Sequence, residues 1–571
     1  MQHNHTAARA AARLGAAGLL AAASTAQAGF TDVTTQAGLA SLQWDQSGGF
    51  EWAEPNFMSG GAAAADVNGD GWTDLYVTRL DAPDSLYLNN QAGGFTDVTA
   101  AWGLSTPVDS NGAAFADVDN DGDLDLYVTT VRDDTKRYHL YIHNGASGYT
   151  EEAVARGADI TTNKTHAGYG VAFGDYDKDG YLDLMTTEWG NTTPANVPNF
   201  VSHSRLLKND GAANPGHFSD VTASSGIAPT GDDSIRYGFA PRWTDLDGDG
   251  HLDLAVASDF GNSQLFWNNG DGTFTDGTAA AGVGTDENGM GSTIADFNND
   301  GKLDWFVTSI YDPGKADREG DESGGWGITG NRLYTNQGGR VFDDTTDAAG
   351  VRNGDWGWGT VALDYDNDGD LDLSMTNGVV FPEFDPDDFF NANPMRFWEN
   401  QGDGTFVDVS DAVGVNDIGS GKGMLTLDYD NDGDLDMLVI NNAGLPILYR
   451  NDAANTNGYL KVDLEGSASN KDGVGALITV IPDLTAPEEM MIREVFAGND
   501  FLGQSEITAH FGLGAWASLD LVRVQWPSGA VTELAGVSAN QTLVIAEVPE
   551  PASAALLAAG VGLALGRRRR A

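Results

Sequence analysis

Short apolar runs separated by clusters of Gly, Asp and Asn recur along most of the chain, in four kinds that follow one another in fixed order. The first kind is built of small residues and runs into an aspartate: GGAAAAD ending at Asp66, GAAFAD at Asp117, GVAFGD at Asp175, GFAPRWTD at Asp245, GSTIAD at Asp296, GTVALD at Asp364 and GMLTLD at Asp428. A second kind, richer in β-branched and aromatic residues, follows each time as LYVT, LYVT, LMTT, LAVA, WFVT, LSMT and MLVI. The third begins at Leu86 (LYLNN), Leu140, Leu206, Leu265, Leu333, Phe397 and Leu448, and the fourth at Phe95 (FTDVT), Tyr149, Phe218, Phe274, Phe342 and Phe406. Runs of this length and content, bounded by turn-forming residues, predict β-strands.

The seventh round has no fourth segment after Leu448, while one copy is left over at the other end of the chain, FTDVT from Phe30 to Thr34. The spare segment can complete the last set. This pattern predicts an all-β protein: a seven-bladed β-propeller over residues 29–455 whose final blade takes its fourth strand from the N-terminus, leaving no frayed edge.

Between the first and second strands of every round lies an acidic nine-residue loop, starting 51, 58, 70, 51, 68 and 64 residues apart. DVNGDGWTD places Asp66, Asn68, Asp70 and Asp74 at positions one, three, five and nine, and DVDNDGDLD places Asp117, Asp119, Asp121 and Asp125 there. DYDKDGYLD supplies Asp175, Asp177, Asp179 and Asp183, and DLDGDGHLD supplies Asp245, Asp247, Asp249 and Asp253. DFNNDGKLD supplies Asp296, Asn298, Asp300 and Asp304. DYDNDGDLD occurs twice, with Asp364, Asp366, Asp368 and Asp372, then Asp428, Asp430, Asp432 and Asp436. Alternate oxygen-bearing side chains turned toward one point, with Gly at position six, suit a hard cation, and calcium is the expected occupant, up to seven ions in a structural role. Position seven varies freely, as expected if only its carbonyl coordinates. An EF-hand is excluded, because position twelve is never Glu and falls inside the second strand. Asn68 and Asn298 give their loops one charge less and weaker expected binding.

These loops and strands closely resemble the FG-GAP or VCBS repeat family, the calcium-looped propeller also found in integrin α-subunits, over about Phe30 to Asp452. From Gly458 a different pattern begins, with YLKVDLEG, ALITV, HFGLG at His510, LVRVQWPSG and NQTLVIAEV, which predicts a small β-sandwich or barrel over residues 456–548. It resembles the ASPIC/UnbV domain through Asn470, Gly475, Ala476, Gln504, Ser505, Phe511 to Gly514, Trp526 to Gly529, Asn540 and Gln541. The combination is similar to the cartilage acidic protein family, and that resemblance implies no catalytic role. Gln504, Ser505 and His510 are expected in turns and core.

The net charge of −54 includes 26 loop ligands among 84 acids, and such a surface repels nucleic acid and anionic membranes, excluding both as partners of the folded body. The absence of Cys excludes thiol catalysis, Cys-ligated zinc and disulfides. Residues 1–28 read as a secretory signal, with Arg9 and Arg13, an apolar run and AQA before Gly29. Residues 549–571 resemble a PEP-CTERM sorting segment, with Pro549, Glu550 and Pro551 ahead of an apolar stretch and four arginines. That resemblance implies a Gram-negative bacterium, exosortase processing and only transient membrane contact through the tail.

The expected function is that of a secreted, cell-surface-targeted adhesion or matrix-binding module, not an enzyme, whose partner is an extracellular polysaccharide or surface protein. The connections opposite the acidic loops carry Trp44, Trp52, Trp102, Trp189, Trp326, Trp356 and Trp358, rings that stack on sugars or anchor a protein loop if exposed and fill the central channel if not. The alternative is a carbohydrate-active lyase or hydrolase, for which Asp45, Glu51, Glu54, Asp355, Asp385, Asp387 and Asp388 are the available carboxylates.

Overall fold

The computed structural model describes residues 29–44, 54–131, 137–145, 148–160, 167–189, 204–227, 237–316, 327–379, 390–453, 455–498 and 500–548. The signal and sorting segments lie outside the described residues, as do Asp45, Glu51, Trp52, Trp326, Asp385, Asp387 and Asp388. Among the described residues no helix is long and apolar enough to cross a membrane.

The chain is all-β, with four-stranded antiparallel sheets and few, mostly single-turn helices. In the second repeat Ser110–Ala116, Asp125–Thr130, His139–His143 and Tyr149–Glu151 pair in sequence order. The repeats opening with Gly168–Gly174, Gly238–Thr244, Ser292–Ala295 and Gly357–Leu363 have the same order. The first, opening with Ala62–Ala65, adds the strand Gly503–Gln504 from far down the chain, paired in parallel. In the last, Gly421–Leu427, Asp436–Asn441 and Ile447–Asn451 are joined by the N-terminal Phe30–Asp32, with Phe30 opposite Asn451.

The D-x-T word of the fourth segment explains this substitution. Asp97 Oδ1 accepts the Thr99 N–H at 2.9 Å, and Thr99 Oγ1 accepts the N–H of Leu86 in the third strand at 2.9 Å. Asp32 and Thr34 repeat both bonds at 2.9 Å, the second reaching Leu448 across 414 residues. Thr34→Val leaves the Leu448 N–H buried without its acceptor. The expected cost is about 1–3 kcal/mol, read from the urea midpoint, whereas Thr34→Ser retains the bond and most of the stability.

The first strands lie side by side in chain order, and Gly421–Leu427 in turn lies against Ala62–Ala65. Their small residues are needed for that approach: a Cβ on Gly112 would stand 2.0 Å from the Tyr169 carbonyl oxygen, and one on Gly423 would stand 2.6 Å from that of Gly60. Each neighbouring pair of sheets buries an apolar cluster between its faces. Tyr76, Phe115 and Val128 lie between the first two, and Leu425, Leu438 and Leu448 pack with Ala62, Leu75 and Tyr87 between the last and the first.

From Gly458 to Ala546 two further sheets form a sandwich around Leu460, Ile478, Phe511, Val522 and Trp526. This second unit packs Lys461 and His510 against acidic loop seven and sends Ala497 and Phe501 to Glu506 among the first strands. Phe501 there is fully buried against Tyr169, Phe239 and Trp358. Ala497 O accepts the Phe173 N–H at 2.8 Å, and Glu506 N–H reaches Thr426 O at 3.0 Å. Gln504 and His510 are buried, as expected of core residues, and all three turn polar atoms toward the repeats. Gln504 Oε1 accepts the Phe115 N–H at 2.6 Å while its Nε2 donates to Phe115 O at 3.1 Å. Ser505 Oγ accepts the Thr426 N–H at 3.0 Å. His510, which burial pushes down to about 4 and keeps neutral, bonds through Nε2 to Gly433 O at 2.9 Å. Sheet edges otherwise left open in the centre thereby gain partners.

Candidate metal centres

Each acidic loop is held by its own first and ninth residues. In loop two, Asp117 Oδ1 and Oδ2 accept the N–H groups of Asp121 at 3.0 Å and Gly122 at 2.7 Å, which folds the turn. Asp125 accepts from Val118 at 3.2 Å and from His143 in the third strand at 2.8 Å, which ties the loop to its sheet. Gly122 has a φ of +94°, a conformation that L side chains rarely adopt. Loop seven repeats the pattern through Asp428 and Asp436.

This folding gathers carboxylates. In loops two, three, four, six and seven the acids at positions one, three and nine each bring one oxygen within 4.8 Å of the others: Asp117, Asp119 and Asp125; Asp175, Asp177 and Asp183; Asp245, Asp247 and Asp253; Asp364, Asp366 and Asp372; Asp428, Asp430 and Asp436. Asn68 and Asn298 take position three in loops one and five, where their Oδ1 atoms accept the N–H of Asp70 and Asp300 at 3.0 Å. Position five stands apart from these triads: Asp121, Asp179, Asp249, Asp368 and Asp432 each turn Oδ1 to the N–H of position seven at 2.9–3.0 Å, as Asp70 and Asp300 do.

The donor sets fit a divalent cation. Asp119 Oδ1, Asp177 Oδ1 and Asp430 Oδ1 are buried with no hydrogen-bond donor. Burial, reinforced by the charges of neighbouring carboxylates, pushes the ninth-position acids up, Asp74 and Asp304 to about 8 and Asp253 to about 9. Clustered, desolvated carboxylates of this kind are stabilised as anions by a bound cation, which oxygen-only donor sets select from the hard metals.

Sequence reasoning passed over the Asn that ends most third strands. Asn209 Nδ2 donates to Val118 O of the preceding metal loop at 2.8 Å, Asn268 to Tyr176 O at 2.9 Å and Asn451 to Tyr365 O at 2.7 Å. Asn89 of the first repeat reaches Tyr429 O of the seventh at 2.7 Å. The signal was present in LYLNN, LLKND, LFWNN and LYRND, but its purpose depends on which sheet stands next door.

Among the described residues the tryptophans form no exposed stacking surface. Trp189, Trp356 and Trp358 are buried in one central cluster with Phe501, Leu502 and Phe390, and Trp44 is buried with Leu80 and Val131. Trp102 is half-buried, stacked on His143 at 5.2 Å between ring centroids. Of the acids considered for catalysis, Glu54 begins the short helix Glu54–Phe57, and Asp355 is paired with Arg396 at 2.5 Å.

Comparison with known proteins finds two family matches in the chain. A model described as FG-GAP-like repeat matches residues 66–128 and 245–307, and one described as ASPIC and UnbV matches 466–552. Cartilage acidic protein 1 of Homo sapiens is 24% identical over 513 residues, covering 84% of this chain and 70% of that protein. The Mus musculus protein is 23% identical over 528 residues, covering 86% and 74%. Among solved structures, rhamnogalacturonan lyase YesW is similar with a TM-score of 0.35 and 13% identity, over 68% of this chain and 71% of that one. BBS1N, in its complex with ARL6DN, has a TM-score of 0.37 and 10% identity over 69% and 92%.

Proposed function

We propose that this protein is a calcium-stabilised, closed seven-bladed β-propeller with a docked second domain, exported through residues 1–28 and sorted through 549–571. In this reading it serves at the cell surface as an adhesion or matrix-binding module for an extracellular polysaccharide or a surface protein. Closure is supported by the pairing of Phe30–Asp32 with Ile447–Asn451 and by the bridge from Asn89 to Tyr429 O. Calcium is supported by the all-oxygen triads and their undonated carboxylate oxygens.

The observation that carries the binding role is the docking of the second domain. It covers the acidic-loop side and fills the centre with Phe501, so the opposite side is the one left to meet a partner. There Phe260 is 57% exposed and Leu445 49%, at the tips of two connections between second and third strands. Size-exclusion chromatography of the purified protein with the producing strain's exopolysaccharide in millimolar calcium tests the role. Co-elution with polymer of unchanged length is the expected result. Shortened polymer replaces the module with the enzyme reading, and no co-elution moves the partner to a surface protein.

A further inference from the structure

Loops six and seven have the same nine residues, DYDNDGDLD, and fold with the same hydrogen bonds at positions one and nine. Their surroundings differ. Lys461, in the second domain's strand Gly458–Glu465, is 5% exposed and places Nζ 3.0 Å from Oδ2 of Asp428, the first residue of loop seven. The ammonium also lies 3.5 Å from Glu506 Oε1, and Glu506 is itself held by the Thr73 hydroxyl at 2.7 Å. Arg450, in the third strand of the same repeat, pairs with Asp452 close to the loop. Asp364, the first residue of loop six, accepts only the N–H groups of Asp368 and Gly369 among the described residues. The buried Arg493 guanidinium on the loop-six side acts on Asp364 through its charge, but it forms no ion pair with it and turns Nε to His510 O and Nη1 to Ile492 O.

We infer that loop seven is a weaker divalent-cation site than its sequence twin loop six, because the Lys461 ammonium already occupies Asp428, and that filling it competes with docking of the second domain. The inference rests on the reading of the loops as metal sites and goes beyond it. A fixed positive charge on a ligand oxygen opposes a second cation there, and the opposition is stronger where water is excluded. Linkage makes the effect mutual: an ion bound in loop seven weakens the Lys461 contact by the factor that the contact weakens the ion. The pair Lys461–Asp428 is therefore a point where cation concentration acts on the domain interface.

The test counts bound Ca²⁺ by equilibrium dialysis across free calcium concentrations in the whole protein and in two matched variants, Asp366→Asn in loop six and Asp430→Asn in loop seven. The expected result is that D366N removes a more tightly held ion than D430N does. Lys461→Met is then expected to tighten the ion that D430N removes by about tenfold or more, with Lys461→Arg leaving it weak. If D366N and D430N remove ions of equal affinity, the inference is overturned while the metal reading stands. If no variant and no wild-type protein binds calcium, the metal reading itself fails. The matched pair leaves Lys461 in place, so the outcome does not depend on the Lys461→Met protein folding.

Discussion

With the acidic loops as calcium sites, chelation at pH 8 is expected to lower the melting temperature by about 20 °C or more, and acidifying the chelated protein toward pH 5 is expected to raise it again. The first effect follows from mass action: each site held at a hundred times its dissociation constant contributes about 2.7 kcal/mol, and seven loops add up. The second follows from the metal-free carboxylates. Burial raises Asp74 and Asp304 to about 8 and Asp253 to about 9 in the folded chain, whereas the unfolded chain holds them near about 4. The folded state then binds the extra protons. Its stability contribution is complete below the unfolded value and is lost as pH rises through 8 to 9. With calcium bound the order reverses, because protons must displace the ion to reach the same oxygens. Scanning calorimetry in calcium and in chelator at pH 5 and pH 8 checks both halves. Equal melting with and without chelator counts against structural metal, and a chelated protein more stable at pH 8 than at pH 5 counts against the raised carboxylates.

Replacing Phe501 by Ala is expected to destabilise both the repeats and the second domain, by about 3–5 kcal/mol. Phe501 belongs to the second domain's chain, but its ring lies at 5.3 Å from Phe239 and 5.5 Å from Trp358 between ring centroids. Gln504, Ser505 and Glu506 extend the contact by bonding the backbone at Phe115 and Thr426. Two units that share a buried ring and several backbone partners unfold together. Wild-type protein should therefore give one calorimetric transition, and F501A should shift that whole transition downward. Two separate transitions in the wild type, with F501A moving only one, would show that the domains are independent.

The repeat period, the four strands of each set and the acidic loops were legible because each is a local matter. A strand of alternating residues, an Asp two residues ahead of a Thr and a Gly in a tight turn are satisfied within one repeat. The spare FTDVT at Phe30 was legible for a different reason: a missing segment and a surplus one, with the same bonding word, can be matched by sequence alone. The tryptophans illustrate the limit. Trp189, Trp356 and Trp358 read in sequence as lying on an exposed face, yet Trp358 falls in the strand Gly357–Leu363 and all three are buried with Phe501 and Leu502, more than a hundred residues later in the chain. Nothing local distinguishes an aromatic ring awaiting a ligand from one awaiting another part of the same chain.

By itself, the sequence determined that seven acidic loops lie between paired strands, that in five of them the acids at positions one, three and nine come together, and that the N-terminal segment matches the missing strand. Only the tertiary structure decided where the second domain sits, that Gln504 and Ser505 bond the first strands, and that Lys461 forms an ion pair with Asp428 while the identical Asp364 feels the Arg493 charge without an ion pair. The physical reason is range. Hydrogen-bonded turns and strand periodicity are set by neighbours a few residues apart, whereas burial and the pairing of charges depend on whichever distant segment packs alongside.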